Sequence, residues 1–484
     1  MSAAGGYSVV NELVSGDPVV LTGEGELIPQ PDQEELPDEP GHVQFELRYA
    51  PMTNDLPHAQ DIELGFRALD EAGARILRWR PANEEKVPLP RYDLAGITEL
   101  GGEVVPIRVD TIFVDYRLGS LSLGMMHSAN RALVGKGLGS EVVRVRAIVP
   151  NLLAPSVETS ARGLQVRLES ILSGAELISR DPERARKILP THLLHLERPE
   201  STDEALAAHW PDMGQAVDAL GWFLGFYAGR AVHPSAWEGE AEGGRVWCIR
   251  ADMVDSLPSS TIATCLRHDD LDSLEPFLTC ACESWHSLGD QQQKRVRGVV
   301  NAYRQMLAAA FATQQVALTS IYLERLRELV VGGSELLPVT DAFAKSKRKR
   351  VESELRAGLR EIIDRNTKLD GDQKETLKQS LEYNPGKIRD VLRKSFKDSL
   401  LELYDRADLS VDRAALSGFI RERDNIIHGT WDASRDSSMR TYCWGAYGLN
   451  LLERLMLRFF GYEGQYWDRV TDSLEHFEHR EPNW

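Results

Sequence analysis

Cysteine is scarce in this chain. Five occur in 484 residues, at Cys248, Cys265, Cys280, Cys282 and Cys443. An odd, irregularly spaced set gives no disulfide framework and points to reduced thiols. Cys280-x-Cys282 has no second pair to complete a zinc site, so free buried thiols are expected there. No run of about 18 apolar residues occurs, which excludes a hydropathic membrane span. The stretch "MSAAGGYSVVNELVSGDP" has neither a basic n-region nor an apolar h-region, so no secretory signal and a cytoplasmic location are expected. Positive charge is in deficit: 56 Lys and Arg against 74 Asp and Glu leave a net charge of −18. Any contact with nucleic acid must therefore come from a local basic patch.

Several chemical signatures are missing too. There is no G-x-S-x-G elbow and no H-E-x-x-H helix, so serine hydrolase and zincin chemistry have no anchor. "VGKGLGSE" at 134–141 looks like a phosphate loop, but Asn130 stands where a Walker loop needs its first Gly, and Gly137 follows Lys136. It is expected to be a glycine-rich turn between strands. His192/His195 and His476/His479 are pairs without a third ligand, short of a catalytic zinc set. No metal and no cofactor are expected.

What remains is an ordinary globular composition, 42% apolar and 27% charged, on a chain long enough for two to four domains. The first 45 or so residues, acidic and Pro-rich around "PQPDQEELPDEPG", read as a loop or extended lead-in. Short alternating runs follow: "VQFEL", "ELGFRAL", "RILRW", "VVPIRVDTIFVDYRL" and "EVVRVRAIV". They predict a β-rich region over about 40–150, a sandwich or open barrel. Helical patterning is read at 156–188 and 202–228, and "ALGWFLGFYAGRAVHP" leads into "GGRVWCIRADMV" as a helix feeding a strand.

From about residue 291 the pattern becomes helical. One long stripe through Val296, Val300, Tyr303, Leu307, Ala310, Ala317 and Ile321 predicts a single helix. Further helices are predicted at 343–366, 371–382, 386–405, 411–428 and 438–460. The expected class is α+β. A β-rich domain spans 1–195, a mixed segment 196–290 completes the N-terminal region, and an all-α bundle spans 291–484. No internal repeat is visible.

Two stretches carry candidate chemistry. The basic run Lys345, Lys347, Arg348, Lys349, Arg350 opens a bundle helix, where cations oppose the helix dipole. It is either a solvated helix start or a contact for a phosphate backbone. The second stretch is "FIRERDNIIHGTW", from Phe419 to Trp431. Leu416, Phe419, Ile420 and Ile427 make an apolar stripe, and Gly429 is the natural stop, so His428 falls in the last turn. A helix C-terminus favours imidazolium, which suits proton transfer near neutral pH. Asp424 and Asn425, four and three residues earlier, reach the same face. Arg423 offers two parallel hydrogen bonds to a phosphate. The alternative is a helix-capping His with surface arginines.

The pattern Arg423-Asp424-Asn425-Ile426-Ile427-His428 resembles the Arg-x4–6-His signature of HEPN-domain ribonucleases. The resemblance covers roughly 291–484, and "ALGWFLGFYAGRAVHP" more weakly resembles ApeA-like anti-phage proteins, which join a β-rich region to a HEPN bundle. Arg421 also fits the spacing, and helical arithmetic puts it with Asn425 and His428 on one stripe, whereas Arg423 lies about 140° away. The family's common spacing selects Arg423, with Arg421 in reserve. The resemblance implies metal-independent cleavage of RNA in anti-phage, abortive-infection defence. It also implies a homodimer through the C-terminal bundle, a phage-derived trigger and an N-terminal region that senses or restrains. The alternatives are a non-catalytic nucleotide- or RNA-binding bundle and an interaction protein.

Overall fold

The computed structural model describes residues 8–15, 17–30, 39–49, 62–78, 91–113, 127–152, 154–161, 163–171, 190–198, 213–250, 264–266, 273–285, 287–309, 311–331, 345–383, 395–429 and 438–478. The chain divides into two compact units, one of residues 1–310 with 459–479 and one built on 311–458.

In the first unit a short helix α1 (Val9–Ser15) precedes β1 (Val19–Pro29), β2 (Gly41–Tyr49) and β3 (Ile62–Ala68). Helix α2 (Glu71–Arg78), β4 (Arg91–Leu100), β5 (Glu103–Phe113) and β6 (His127–Val134) follow. Strand β2 alternates strictly, with Val43, Phe45, Leu47 and Tyr49 inside and His42, Gln44, Glu46 and Arg48 outside. The six strands run in the order β3-β2-β1-β4-β5-β6, and β3 pairs back onto β6 through Ile62↔Ala129 and Leu64↔His127. A ring closed in this way leaves no free edge there. It encloses apolar side chains, among them Leu21, Phe45, Leu94, Ile107 and Val109, with Val10 and Leu13 of α1 in the same core. The expectation of an open barrel or sandwich thus becomes a closed ring.

Of the lead-in expected over the first 45 or so residues, Val9–Ser15 is a helix and Val19–Pro29 a central strand instead, while 31–38 lie outside the described residues. Glycines blunt the alternation of "VVLTGEGEL" because β1 and β4 run close: a Cβ on Gly23 would sit 2.1 Å from Ile97 O. The strand expected at "RILRW" is α2, because Asp70 Oδ1 accepts from Gly73 N (2.6 Å) and starts a helix. That hydrogen bond also holds the Asp70 carboxyl below its ordinary pKa.

The sheet continues beyond the ring. Strands β7 (Val142–Pro150), β8 (Val157–Ala161), β9 (Leu164–Ser170) and β10 (Pro190–Glu197) are followed by helix α3 (Met213–Ala228), β11 (Ala236–Ala241) and β12 (Gly244–Arg250). Their order is β6-β12-β11-β7-β10-β9-β8, antiparallel throughout. The glycine-rich stretch joins β6 to β7 as a turn. Helix expected at 156–188 is overturned for its first part. Leu164, Val166 and Leu168 alternate with exposed Gln165, Arg167 and Glu169, and Gly163 (φ 72°) closes a tight hairpin from β8. Residues 172–189 lie outside the described ones.

Helix α3 has 12 of its 16 residues buried, so it is an interior helix and not an amphipathic one. Helices α4 (Leu274–Trp285) and α5 (Asp290–Leu307) pack on it. The rings of Phe223, Phe226, Phe277 and Phe460 meet at centroid distances of 5.5–5.6 Å in tilted and edge-on pairs. Phe460 and Tyr462 arrive from the far end of the chain, which returns as a hairpin of β13 (Gly464–Asp468) and β14 (Ser473–Phe477). Trp467 N donates to Cys265 O (2.7 Å). His476 lies in β14, and His479 falls outside the described residues.

In the second unit helices α6 (Ala312–Val331), α7 (Lys345–Arg365), α8 (Gly371–Tyr383), α9 (Phe396–Arg406), α10 (Arg413–Ile427) and α11 (Ser438–Phe459) follow. The single helix expected from 291 is two. Helix α5 ends at Ala308 and belongs to the first unit, and α6 begins at Ala312. The buried face turns between them: Val316, Leu323 and Leu326 are buried, whereas Phe311 and Ile321 are exposed. The alanine run "LAAAFA" has no preference between the two faces. The helix expected over 386–405 begins at Phe396, where Ser395 Oγ accepts from Asp398 N, and 386–394 lie outside the described residues.

All five cysteines are free. Of the pair expected to be buried, Cys282 is buried, its thiol pushed up to about 12 by desolvation, and Cys280 is partly buried; Cys443 is exposed on α11. Among the described residues no helix is long and apolar enough to cross a membrane.

His192 is buried in β10, where Nε2 donates to Ala154 O (3.0 Å). Burial lowers its pKa from 6.5 to about 4, partly offset by that hydrogen bond. The unfolded chain therefore takes up its proton first as pH falls. The contribution of His192 is fully present above pH 6.5 and is lost between 6.5 and about 4. The slope is at most about 1.4 kcal/mol per pH unit. Urea unfolding followed from pH 7 to 4 is expected to show this loss, and His192→Gln to flatten it.

Candidate active site

Helix α10 begins where Asp412 accepts from Ala414 N (2.7 Å) and Ala415 N (3.3 Å). It packs in the second unit on α6 and α9, and Lys397 Nζ donates to Ser417 Oγ (2.7 Å). Leu416 and Phe419 are buried, and Gly418 lets the Trp444 indole of α11 lie against the backbone. Tyr404 of α9 donates to Leu451 O of α11 (2.6 Å). Helices α6, α9, α10 and α11 thus share one core.

The next turn of the buried stripe is a carboxylate. Glu422 is 2% exposed and accepts from Arg440 Nη2 (2.6 Å) and Thr441 Oγ1 (2.8 Å). A buried carboxylate is stable only with such partners. It ties the last turns of α10 to the start of α11. Sequence reading passed over it, although its place three residues after Phe419, itself three after Leu416, was the available signal.

Beyond this anchor lie the candidate residues. The main-chain N–H of His428 donates to Asp424 O (2.9 Å), and Gly429 adopts φ 70° and donates to Ile426 O (3.3 Å). The helix therefore stops as its sequence predicts, with His428 exposed at the negative end of the dipole. Arg421 is exposed seven residues earlier on an unbroken helix, so Arg421, Asn425 and His428 share one stripe. Arg423 and Asp424 form a neighbouring pair. Arg423 Nη1 donates to Asp424 Oδ1 (2.7 Å), and the guanidinium lies 5.0 Å from the Phe396 ring of α9. Arg423 is thus half-buried and held, while Arg421 points to solvent.

The basic run forms the first turns of α7, which packs on α8. Every described side chain of this pair is at least partly exposed. Lys349 is exposed, and Arg350 Nε meets Glu354 Oε1 (2.8 Å) in a solvated pair of little energetic weight. The side chains of Lys345, Lys347 and Arg348 lie outside the described residues. His192 and His195 sit three apart on β10, so their side chains leave opposite faces of the strand. Among the described residues no three His, Cys, Asp or Glu side chains are grouped to hold a metal ion.

No protein-family model, no characterised protein and no solved structure matches this chain.

Glu422→Ala is expected to destabilise the second unit by about 1.5–3 kcal/mol, the scale of hydrogen bonds to a charged group. Chemical denaturation measures this, with Glu361→Ala, whose partner Arg365 is likewise exposed on α7, as an exposed-pair control of near-zero effect.

Proposed function

We propose that this chain is a metal-independent endoribonuclease of the HEPN type, acting in the cytoplasm in anti-phage, abortive-infection defence. The observation that carries the reading is the exposed His428 imidazole at the C-terminal end of α10, with Arg421 and Asn425 on its stripe and the Arg423–Asp424 pair beside it.

In this reading two copies pair through the second unit, and their motifs face a shared RNA strand. His428 removes the proton from a ribose 2′-OH, or protonates the departing 5′-oxygen from the other copy. Attack of the 2′-oxygen on the adjacent phosphorus builds negative charge on the phosphorane. A guanidinium, Arg423 with Arg421 in reserve, stabilises that charge. The products are a 2′,3′-cyclic phosphate and a 5′-OH. Asp424 and Asn425 orient the two cations. Lys345, Lys347, Arg348, Lys349 and Arg350 hold the RNA backbone. The first unit senses a phage-derived trigger or restrains cleavage.

Labelled RNA incubated with the full chain in EDTA, with and without extract from phage-infected cells, tests this. Cleavage to 2′,3′-cyclic ends is expected, and His428→Ala is expected to lower the rate by about 10²-fold or more. Arg423→Ala and Arg421→Ala assign the working guanidinium. A rate unchanged in His428→Ala overturns the assignment, and binding without cleavage in either condition points to an RNA-binding bundle. In a separate measurement, Lys349→Glu with Arg350→Glu is expected to weaken RNA binding and to flatten its salt dependence by about 0.7 per lost phosphate contact.

A further inference from the structure

The extended sheet of the first unit has a charged face that takes no part in the nuclease reading. Ile148 of β7, Ala236 of β11 and Leu193 of β10 continue the apolar core of the ring. Two residues further along β7, β11 and β10 the same face becomes polar. Strand register fixes what stands next to what. Glu238 pairs with Arg146, Arg146 with His195, His195 with Arg167, and Arg167 with Glu158. One row across five strands therefore reads Glu–Arg–His–Arg–Glu. The row beside it places Arg144 between Glu240 and Glu197.

The two rows behave differently. Arg144 is neutralised by both its neighbours, through ion pairs with Glu197 and with Glu240 at 3.2 Å. In the first row the centre is three cationic or cationisable groups side by side. Like charges directly opposite each other across strands are unfavourable. Arg146 leans away to Glu238 (3.6 Å) and to Asn11 of α1 (2.8 Å). Arg167 meets Glu169 at 3.8 Å. His195 Nε2 is closed off from solvent and makes no hydrogen bond, with Glu169 Oε2 3.6 Å away. Glu238, Arg146, His195, Arg167 and Glu158 line a cavity of about 420 Å³, within the range of small-ligand sites. Its walls are main-chain-paired strands, so the side chains start from fixed positions.

We propose that this cleft binds a small phosphate ester, with the phosphate seated over His195 between Arg146 and Arg167, and hydroxyl or amino groups of its organic part donating to Glu158 and Glu238. An oxyanion at that point turns the unfavourable centre of the row into an attractive one. Carboxylates at both ends of the row would repel a bare polyanion, and they favour a ligand with one charged group and a donor-bearing body. A cavity of this size admits a mononucleotide-sized molecule and not a strand. The site is separate from the candidate nuclease residues, and its test is binding, not cleavage.

Isothermal titration of the full chain with inorganic phosphate, ribose 5-phosphate and adenosine 5′-monophosphate measures it. The two esters are expected to bind more tightly than phosphate, and Arg167→Gln or His195→Gln to weaken them about tenfold or more. Arg75→Gln, far along the sequence on α2 and paired with Glu39, serves as a control without effect. The groups facing His195 are Arg146 from β7 and Arg167 and Glu169 from β9, with Glu197 on its own strand. The contribution of His195 to affinity is expected to fall as pH rises through its titration; it is read as the difference between the unmodified chain and His195→Gln, because the ester's own second ionisation, at about pH 6, is common to both. Esters that bind no better than inorganic phosphate overturn the proposal. So does affinity unchanged in both variants, with circular dichroism showing them folded, or no binding of any of the three probes.

Discussion

The architecture of the first unit depends on how one strand divides its edge. Along one side β6 pairs with β5 from Ser128 to Val134. Along the other, its first residues pair with β3 and close the ring, while Arg131–Val134 pair with β12 and open the outer sheet. A β-strand edge presents a fixed row of donors and acceptors, and leaving it unpaired invites aggregation. Here the two partners use up that row between them. The same strand thereby fixes the register of two sheets with different tasks, an enclosed apolar core and a platform with one apolar and one charged region.

That platform needs a backing. Helix α3 supplies it because it is buried over most of its surface and packs on β7. The close fit of helix to its surroundings is visible at Gly221, where a Cβ would come 2.3 Å from His233 Nδ1. His233 is buried, and desolvation together with Arg304 and Arg297 lowers its pKa to about 3, so it stays a neutral packing group at physiological pH. The second unit solves the same problem differently. Its four core helices bury narrow stripes, and one turn of α10 exchanges hydrophobic burial for the Glu422 anchor. The exposed end of α10 starts from that fixed point.

Elements with local punctuation were legible in the sequence. Asp370, Asp412 and Gly429 mark helix ends by their own chemistry, and α7, α8, α10 and α11 lie close to their expected bounds. Elements whose signal depends on a neighbour were not. Strand β1 reads as a loop because the glycines that let β4 approach erase its alternation. The hairpin β8–β9 reads as a helix until Gly163 is recognised as the turn that sets a period of two. The end of α5 is invisible because alanines fit either core. The same distinction holds for the sites. His428 follows from a helix and its stop, both local. The Arg146–His195–Arg167 row does not, because residues so far apart in sequence become neighbours only through the pairing of three strands.

The return of residues 459–479 to the first unit sets an order of maturation on the ribosome. Phe277 and Phe226 can pack on each other but lack the Phe460 ring until it has been made, some 150 residues after the rest of that unit has emerged. During that interval the second unit is synthesised in full while the first still carries an aromatic surface open to water. Domains otherwise tend to fold in N-to-C order during translation. In this chain the earlier half is completed last, so a ribosome that stalls within α11 releases a protein whose larger unit is unfinished, however much of the smaller one has folded.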